Sequence, residues 1–289
     1  KLPQHCSESL YQDFIDAPLK AREHGFWPRI TNMMFWYTIT EEELLHFIQK
    51  VTEYVVNGSH VIIYPYVQLR PGSELYKQYY DNTLDAAHVT TTTINLPNGK
   101  TYILPEYILP ENPVIRDLAY TALKKVPEIK SALSSDGKNG LYPLSLEVLY
   151  FFKELINEWL ESKTATMPKE DLVAMRRYVE NAILDFKKYS TYLQSVYRLV
   201  QAHSLQLDDI ETIVRLFKEE PRCFEVLKWS ADIGSDDDFD YLCRLVGMLK
   251  ERGIEIAPLL AESIRFRQAL SNVSDVDFAE GFFEIMDSA

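Results

Sequence analysis

The sequence lacks the short motifs that mark the common catalytic sites. Its 289 residues contain no GxSxG nucleophile elbow, no HExxH zinc motif, no GxxxxGK(S/T) phosphate loop, no GxGxxG dinucleotide fingerprint and no EF-hand loop. These absences favour a non-catalytic function, and we predict no catalytic residues. An enzyme of a less common kind stays open as the alternative.

Cysteine is scarce, and long apolar runs are missing. Cys6, Cys223 and Cys243 are odd in number, widely separated and without a CxxC pair. Neither a disulfide framework nor a zinc site is therefore expected, and we predict no metal and no cofactor. No apolar run approaches the roughly 18 residues of a membrane span, and no signal peptide is visible. We expect a cytoplasmic protein, or, if it is secreted, one that is delivered into a host cytosol.

Positive charge is also in short supply. The chain has 30 Lys and Arg against 43 Asp and Glu, a net charge of -13, and residues 141–289 hold 17 of the former and 27 of the latter. Such a field repels nucleic acid and anionic membrane surfaces. We therefore predict another protein with a basic surface as the partner, with no nucleic acid and no membrane span.

A polar, glycine-bearing stretch divides the chain near residue 140. Ser134 to Gly140 has the composition of a linker. It separates a mixed α+β domain over residues 1–138, with a β-hairpin near 88–104, from a helical array over 141–289 that is organised on a long helix over 170–203. The predicted fold class is mainly α, with an α+β N-terminal part and an antiparallel helix-pair, solenoid-like C-terminal domain.

The N-terminal half contains the β signals and one clear helix start. Four threonines, Thr90 to Thr93, precede Pro97-Asn98-Gly99-Lys100, whose Asn-Gly pair suits a tight turn. Val61 to Val67 contains Pro65, which indicates an edge strand or an extended segment. The hairpin is expected to lie against the neighbouring helices or to pair with this segment. Thr40 followed by Glu43 indicates a capping box that opens a helix, which Asn57-Gly58 ends. Residues 1–40 are expected to be irregular.

The strongest periodic signal runs from Leu172 to His203. Apolar residues recur there at steps of three and four, which predicts one helix roughly 45 to 50 Å long. The apolar stripe consists of Leu172, Met175, Val179, Ala182, Phe186, Tyr189, Leu193, Val196 and Val200. Asp208 or Asp209 is predicted to cap the next helix, and Gly253 to end the one that begins at Asp236.

Successive helices with Pro221 and Pro258 near their turns make this half similar in architecture to tetratricopeptide arrays. The Trp, Leu-Gly, Tyr, Ala and Phe positions of those arrays do not recur here at a 34-residue spacing. In its general organisation, an idiosyncratic N-terminal segment joined to an acidic helical array, the chain resembles secreted effectors of intracellular bacteria and the regulators that bind them. This resemblance implies a regulatory protein that binds a protein partner and can inhibit it.

Two sets of residues are candidates for binding. The partner-binding set combines residue types common at interface hot spots with carboxylates at helix starts. It consists of Arg176, Arg177, Tyr178, Tyr192, Asp208, Asp209, Asp236 and Asp237. The alternative is a site for an anionic substrate or ligand in the N-terminal half, at His24, Arg70 and His88.

Two further motifs have simpler explanations than chemistry. The acidic run Asp236 to Asp238 can hold a cation, but negative charge at a helix start is favourable by itself. Cys223 and His203 can form a nucleophile and a base, but Cys223 falls in an apolar helical pattern typical of a buried thiol.

Overall fold

The computed structural model describes residues 16–21, 29–135, 143–227 and 236–254. These residues are mainly helical and include one small sheet, which confirms a mainly helical fold with a small sheet. It divides into two compact units. The first unit is Arg29–Lys187, and the second combines Lys1–Pro28 with Lys188–Ala289. The predicted division near residue 140 lies outside the described residues, and the helices on its two sides belong to the first unit.

The first unit contains one four-stranded sheet in the order β1-β2-β4-β3. Strand β1 is parallel to β2, whereas β4 is antiparallel to both β2 and β3. The strands are β1 Arg29–Phe35, β2 His60–Gln68, β3 Val89–Asn95 and β4 Thr101–Ile108. Strand β1 corrects the expectation that residues 1–40 are irregular. Its sequence has no simple alternation of apolar and polar residues, so the pattern does not predict a strand there.

Strand β2 also corrects a prediction, since it lies inside the sheet order and not at its edge. Residues 60–66 pair with β1, and only Val67 and Gln68 pair with β4. Pro65 therefore falls in a stretch whose paired residues have a partner strand on one side. A proline has no N–H to donate. It is tolerated there, as on an edge strand, because no neighbouring strand requires that hydrogen bond.

The predicted hairpin is confirmed. Strands β3 and β4 pair from Val89 opposite Ile108 to Asn95 opposite Thr101, with an irregularity between Thr90 and Thr91. Gly99 has a φ of 77°, the left-handed conformation that glycine adopts without strain. The hairpin also pairs with β2, one of the two arrangements that the sequence predicts.

Helices cover this sheet in the first unit. Their bounds are α1 Glu41–Val56, α2 Glu74–Tyr80, α3 Pro113–Ser135 and α4 Pro143–Glu161, followed by α5 Lys169–Gln201, which continues into the second unit. The capping box at α1 is present, because Thr40 N–H donates to Glu43 Oε2 at 2.9 Å and Glu43 N–H donates to Thr40 Oγ1 at 3.2 Å. Asn57 ends α1 as predicted.

The long helix α5 is confirmed by its burial as well as by its bounds. All nine residues of the predicted apolar stripe are buried, from Leu172 to Val200. Ile183 is buried as well, which widens the stripe beyond a two-helix seam. Within the described residues, no helix is long and apolar enough to cross a membrane.

The second unit continues with shorter helices. They are α6 Leu207–Glu219, a 3-10 turn at Pro221–Phe224 and α7 Asp236–Glu251, which Gly253 follows with a φ of 73°. The predicted cap of α6 is wrong: Gln206 is the N-cap, without a side-chain bond, and Asp208 and Asp209 lie in the first turn. The helices predicted beyond residue 254 lie outside the described residues.

Candidate functional site

The end of α5 and the starts of α6 and α7 come together in the second unit. His203 has a φ of 50°, so the chain turns out of helix α5 there through a left-handed residue. His203 Nε2 lies 2.5 Å from Asp238 Oδ1 in the first turns of α7. The Tyr241 hydroxyl donates to the Ser204 carbonyl at 3.2 Å. These contacts hold the start of α7 against the end of α5.

Tyr241 packs as well as donates. Its ring stacks on His203 with centroids 4.7 Å apart and planes 20° from parallel. Burial, and then the nearby Asp209 carboxylate, raise the pKa of Tyr241 to about 12. The phenol therefore stays protonated at neutral pH and can serve as the donor to Ser204.

Four carboxylates lie in the first turns of α6 and α7. Asp208 and Asp237 are exposed, whereas Asp209 and Asp238 are half-buried. Asp209 accepts a hydrogen bond from the Ser204 hydroxyl, and Asp238 contacts His203. The name acidic junction is used below for Asp208, Asp209, Asp237 and Asp238.

The acidic junction is tied to the body of the second unit by an ion pair between helices. Arg252 Nε, after α7, donates to Glu211 Oε1 of α6 at 2.9 Å. Its Nη1 also donates to the Met248 carbonyl at 2.9 Å. Apolar packing and this ion pair together hold α6 and α7 in place relative to each other. The carboxylates at the starts of these two helices are therefore held in place as well.

Three of the four junction carboxylates were identified from the sequence. Asp208, Asp209 and Asp237 belong to the predicted set, and the side chain of Asp236 lies outside the described residues. Asp238 was not assigned to binding, and neither was its contact with His203. The acidic run was a signal for Asp238, but only the tertiary structure places it beside a histidine 35 residues earlier.

The remaining partner-binding candidates are distributed between the units. Arg176, Arg177 and Tyr178 belong to the first unit, where Arg177 and Tyr178 are exposed and Arg176 is half-buried with its Nε covered. Burial, and then the Glu53 charge, raise the pKa of Tyr178. Tyr192 belongs to the second unit, and Lys188 Nζ lies 5.6 Å from the centre of its ring.

Two residues of the alternative ligand site are described, and each contacts other side chains. The guanidinium of Arg116, at 3.1 Å, and the ring of Tyr37 contact His88. The Arg70 Nε donates to Gln68 Oε1 instead, at 3.1 Å. His24 lies outside the described residues.

The other chemical candidates have structural explanations. Cys223 is buried, and burial followed by the charges of Glu220 and Glu225 raises the pKa of its thiol, so the reactive thiolate is disfavoured. Arg222 forms an ion pair with Glu220 at 2.6 Å and lies 4.6 Å from the centre of the Tyr189 ring. Among the described residues, no group of His, Cys, Asp and Glu is arranged to hold a metal ion.

Comparisons of the chain with protein-family models, with curated proteins and with solved structures found no match. The acidic junction itself is therefore the basis for a functional inference.

Proposed function

We propose that this protein is a non-catalytic regulatory protein that binds a protein partner with a basic surface through the acidic junction. The observation that carries the proposal is that Asp208, Asp209, Asp237 and Asp238 lie at the starts of two helices, where Asp209 contacts Ser204 and Asp238 contacts the adjacent His203. Like charges held close together raise the local negative potential, which steers a positively charged partner.

The helical part supplies the scaffold in this proposal. Helices α5, α6 and α7 follow one another and bury apolar residues, including Leu193, Ile213 and Leu245. We take these helices as part of an antiparallel helix-pair array similar in architecture to tetratricopeptide arrays, whose extended faces bind proteins. A cytosolic setting, bacterial or host, is part of the same proposal, as is regulation of the partner by covering its basic surface.

Helix starts explain why the carboxylates are tolerated at this place even when no protein is bound. Asp208, Asp209 and Asp237 lie in the first turns of α6 and α7, where the positive ends of the helix dipoles stabilise negative charge. The cluster therefore carries little folding penalty. A surface of this kind can be uncharged by mutation while the helices stay formed.

The test compares association rates of two charge-matched variants. Asp208, Asp209 and Asp237 are replaced by Asn in the first variant. Exposed Glu42, Asp117 and Glu128 of the first unit are replaced by Gln, Asn and Gln in the second. The probe is the protein that the chain retains at one-to-one ratio in affinity capture, and association is followed by stopped-flow fluorescence.

The junction variant should associate about tenfold more slowly at low salt, because steering acts mainly on the association rate. The matched variant should lose much less, since its charges are scattered. Raising salt from about 0.05 to 0.5 M should remove most of the difference between them. Equal rates for the two variants, or capture of no protein at one-to-one ratio, would show that the acidic junction is only a solvated surface.

A further inference from the structure

The outer half of the β3-β4 hairpin stands clear of the rest of the sheet. Strand β2 reaches only Tyr107 and Ile108 of β4 by strand pairing, so the hairpin beyond them is a two-stranded ribbon. Its large apolar side chains are exposed: Ile94 by 42%, Leu96 by 39%, Tyr102 by 47% and Ile103 by 67%. A two-stranded ribbon with this much apolar surface is marginal in water.

Among the described residues β3 is the last strand of the sheet, and its outer edge presents backbone groups in a regular order. Leu96 N–H donates to the Lys100 carbonyl at 2.8 Å, so this pair is hydrogen bonded. Hydrogen-bonded pairs alternate along an antiparallel ladder, and residues at odd steps from Leu96 point their N–H and C=O groups away from β4. Those residues are Thr91, Thr93 and Asn95. Pro105, opposite Thr91, fits the alternation because its missing N–H would point away from β3.

This edge has few of the devices that keep sheet edges apart, other than the irregularity between Thr90 and Thr91. Residues 89–105 contain one charged residue, Lys100, and β3 itself contains neither charge nor proline. Natural edge strands are usually blunted by lysine, proline or an inward charge. Two copies of a chain with a net charge of -13 repel each other electrostatically. The hairpin has no acidic residue between 89 and 105, so this repulsion is weakest where two hairpins meet.

We propose that β3 pairs antiparallel with β3 of a second copy of this chain, about a twofold axis at Thr93. The strand is complementary to itself in this register: Thr93 faces Thr93, and Thr91 faces Asn95. All of these residues point outward, so about six hydrogen bonds form between the copies. This proposal is independent of the acidic junction, which lies in the second unit.

Side chains support the same register. Ile94 lies directly opposite Tyr102 within one hairpin, so both are on one face of the ribbon. Pairing about Thr93 places Ile94 of each copy opposite Thr92 of the other, which joins the two Ile94-Tyr102 pairs into one apolar face. Ile94 then lies on a central strand of a four-stranded sheet, whereas Ile103, opposite Thr93, lies on the other face.

Charge complementarity specifies the second copy. The antiparallel register brings the turn of one hairpin, which carries Lys100, to the start of β3 in the other. Asp85 lies there with its side chain 64% exposed, 3.7 Å from His88 Nε2 and accepting a hydrogen bond from Ala87 N–H of its own chain. Within one copy the two residues are at opposite ends of a strand roughly 20 Å long, so they cannot pair with each other.

The first experiment removes one outward donor. Thr93→Pro deletes an N–H that points away from β4, so the hairpin keeps its own hydrogen bonds. Thr93→Ala keeps that N–H and is the matched control. Sedimentation velocity from about 1 to 200 µM should show a concentration-dependent dimer for the native chain and Thr93→Ala, and a monomer for Thr93→Pro.

The second experiment exchanges charges between copies. Lys100→Glu alone and Asp85→Lys alone should each raise the dimer Kd about tenfold, because like charges then meet at both ends of the paired strands. An equimolar mixture of the two variants should recover the native Kd as a heterodimer, since opposite charges then meet again at both ends. At one end the introduced glutamate faces the introduced lysine, and at the other end the native Lys100 faces the native Asp85.

Recovery in the mixture together with loss in Thr93→Pro supports pairing of the β3 edges. A monomer throughout the concentration range would overturn the proposal. A dimer that Thr93→Pro leaves intact, or a mixture no tighter than its components, would place self-association elsewhere. Binding of an extended peptide to a strictly monomeric chain would show a foreign strand as the occupant and would also refute the second copy.

Discussion

Glu41 is a buried carboxylate that connects three segments of the first unit. It is 5% exposed and accepts hydrogen bonds from Trp159 Nε1 at 2.9 Å, from Thr166 N–H and Oγ1, and from Met167 N–H at 3.4 Å. The start of α1, the end of α4 and the segment before α5 therefore meet at one side chain. A buried charge is tolerable here because its oxygens have several donors.

Replacing Glu41 with Ala should lower the free energy of unfolding by about 3 kcal/mol, because the buried Trp159 indole N–H and the donors of the more exposed Thr166 lose their acceptor. Urea denaturation at pH 7 measures the change. Glu42→Ala, at the exposed neighbouring position, should stay within about 0.5 kcal/mol of the native chain. Equal effects of the two substitutions would mean that the Glu41 contacts contribute nothing net to stability.

His60 predicts a pH dependence of stability. Burial, and then the charge of Arg29 directly opposite on β1, lower the pKa of His60 in the folded chain. The unfolded chain, with an ordinary pKa near 6.5, then binds the proton more tightly, so the folded state loses stability as pH falls below about 6.5. His60→Gln removes this contribution.

Unfolding free energies of His60→Gln should therefore decline less than those of the native chain between about pH 7 and pH 5. The measurement is a series of urea titrations across that range. His46→Gln, at an exposed position of α1, is the control and should follow the native decline. A native-like decline in His60→Gln would assign the pH dependence to other groups.

Helix α1 shows at the element scale how a local motif acts in the folded chain. Thr40 and Glu43 satisfy each other's backbone N–H groups at the helix start. Thr40→Ala should lower the free energy of unfolding by about 1 kcal/mol, the usual effect of losing such a cap. Thr40→Ser keeps the accepting oxygen and should restore most of it in thermal or chemical unfolding. Serine as damaging as alanine would mean that the cap is not the cause.

The hairpin and β2 show what element-scale reasoning can and cannot predict. The Asn98-Gly99 turn and the threonine run specify a hairpin locally, because turn conformation and β-propensity act over a few residues. The position of β2 within the sheet depends on β1 and β4, which are far apart in sequence. Pro65 shows only that no ladder hydrogen bond is donated at its own position. It does not show whether the rest of β2 has partner strands on both sides.

At the scale of the whole molecule, charge and self-association are placed in different units. The acidic junction belongs to the second unit, and the uncharged hairpin belongs to the first. The proposed partner at the junction and the proposed second copy at β3 thus contact different residues. The variants that test one surface serve as folding controls for the other.

The sequence alone determined the long helix, the hairpin, the cap at Thr40 and the acidic helix starts, because each depends on periodicity or on contacts a few residues apart. The tertiary structure decided which of these features meet. It placed Asp238 beside His203, gathered donors around Glu41 from residues more than 100 positions away, and joined β1 to β2. Such contacts are selected by the packing of whole elements into a shared core, and no local pattern encodes that choice.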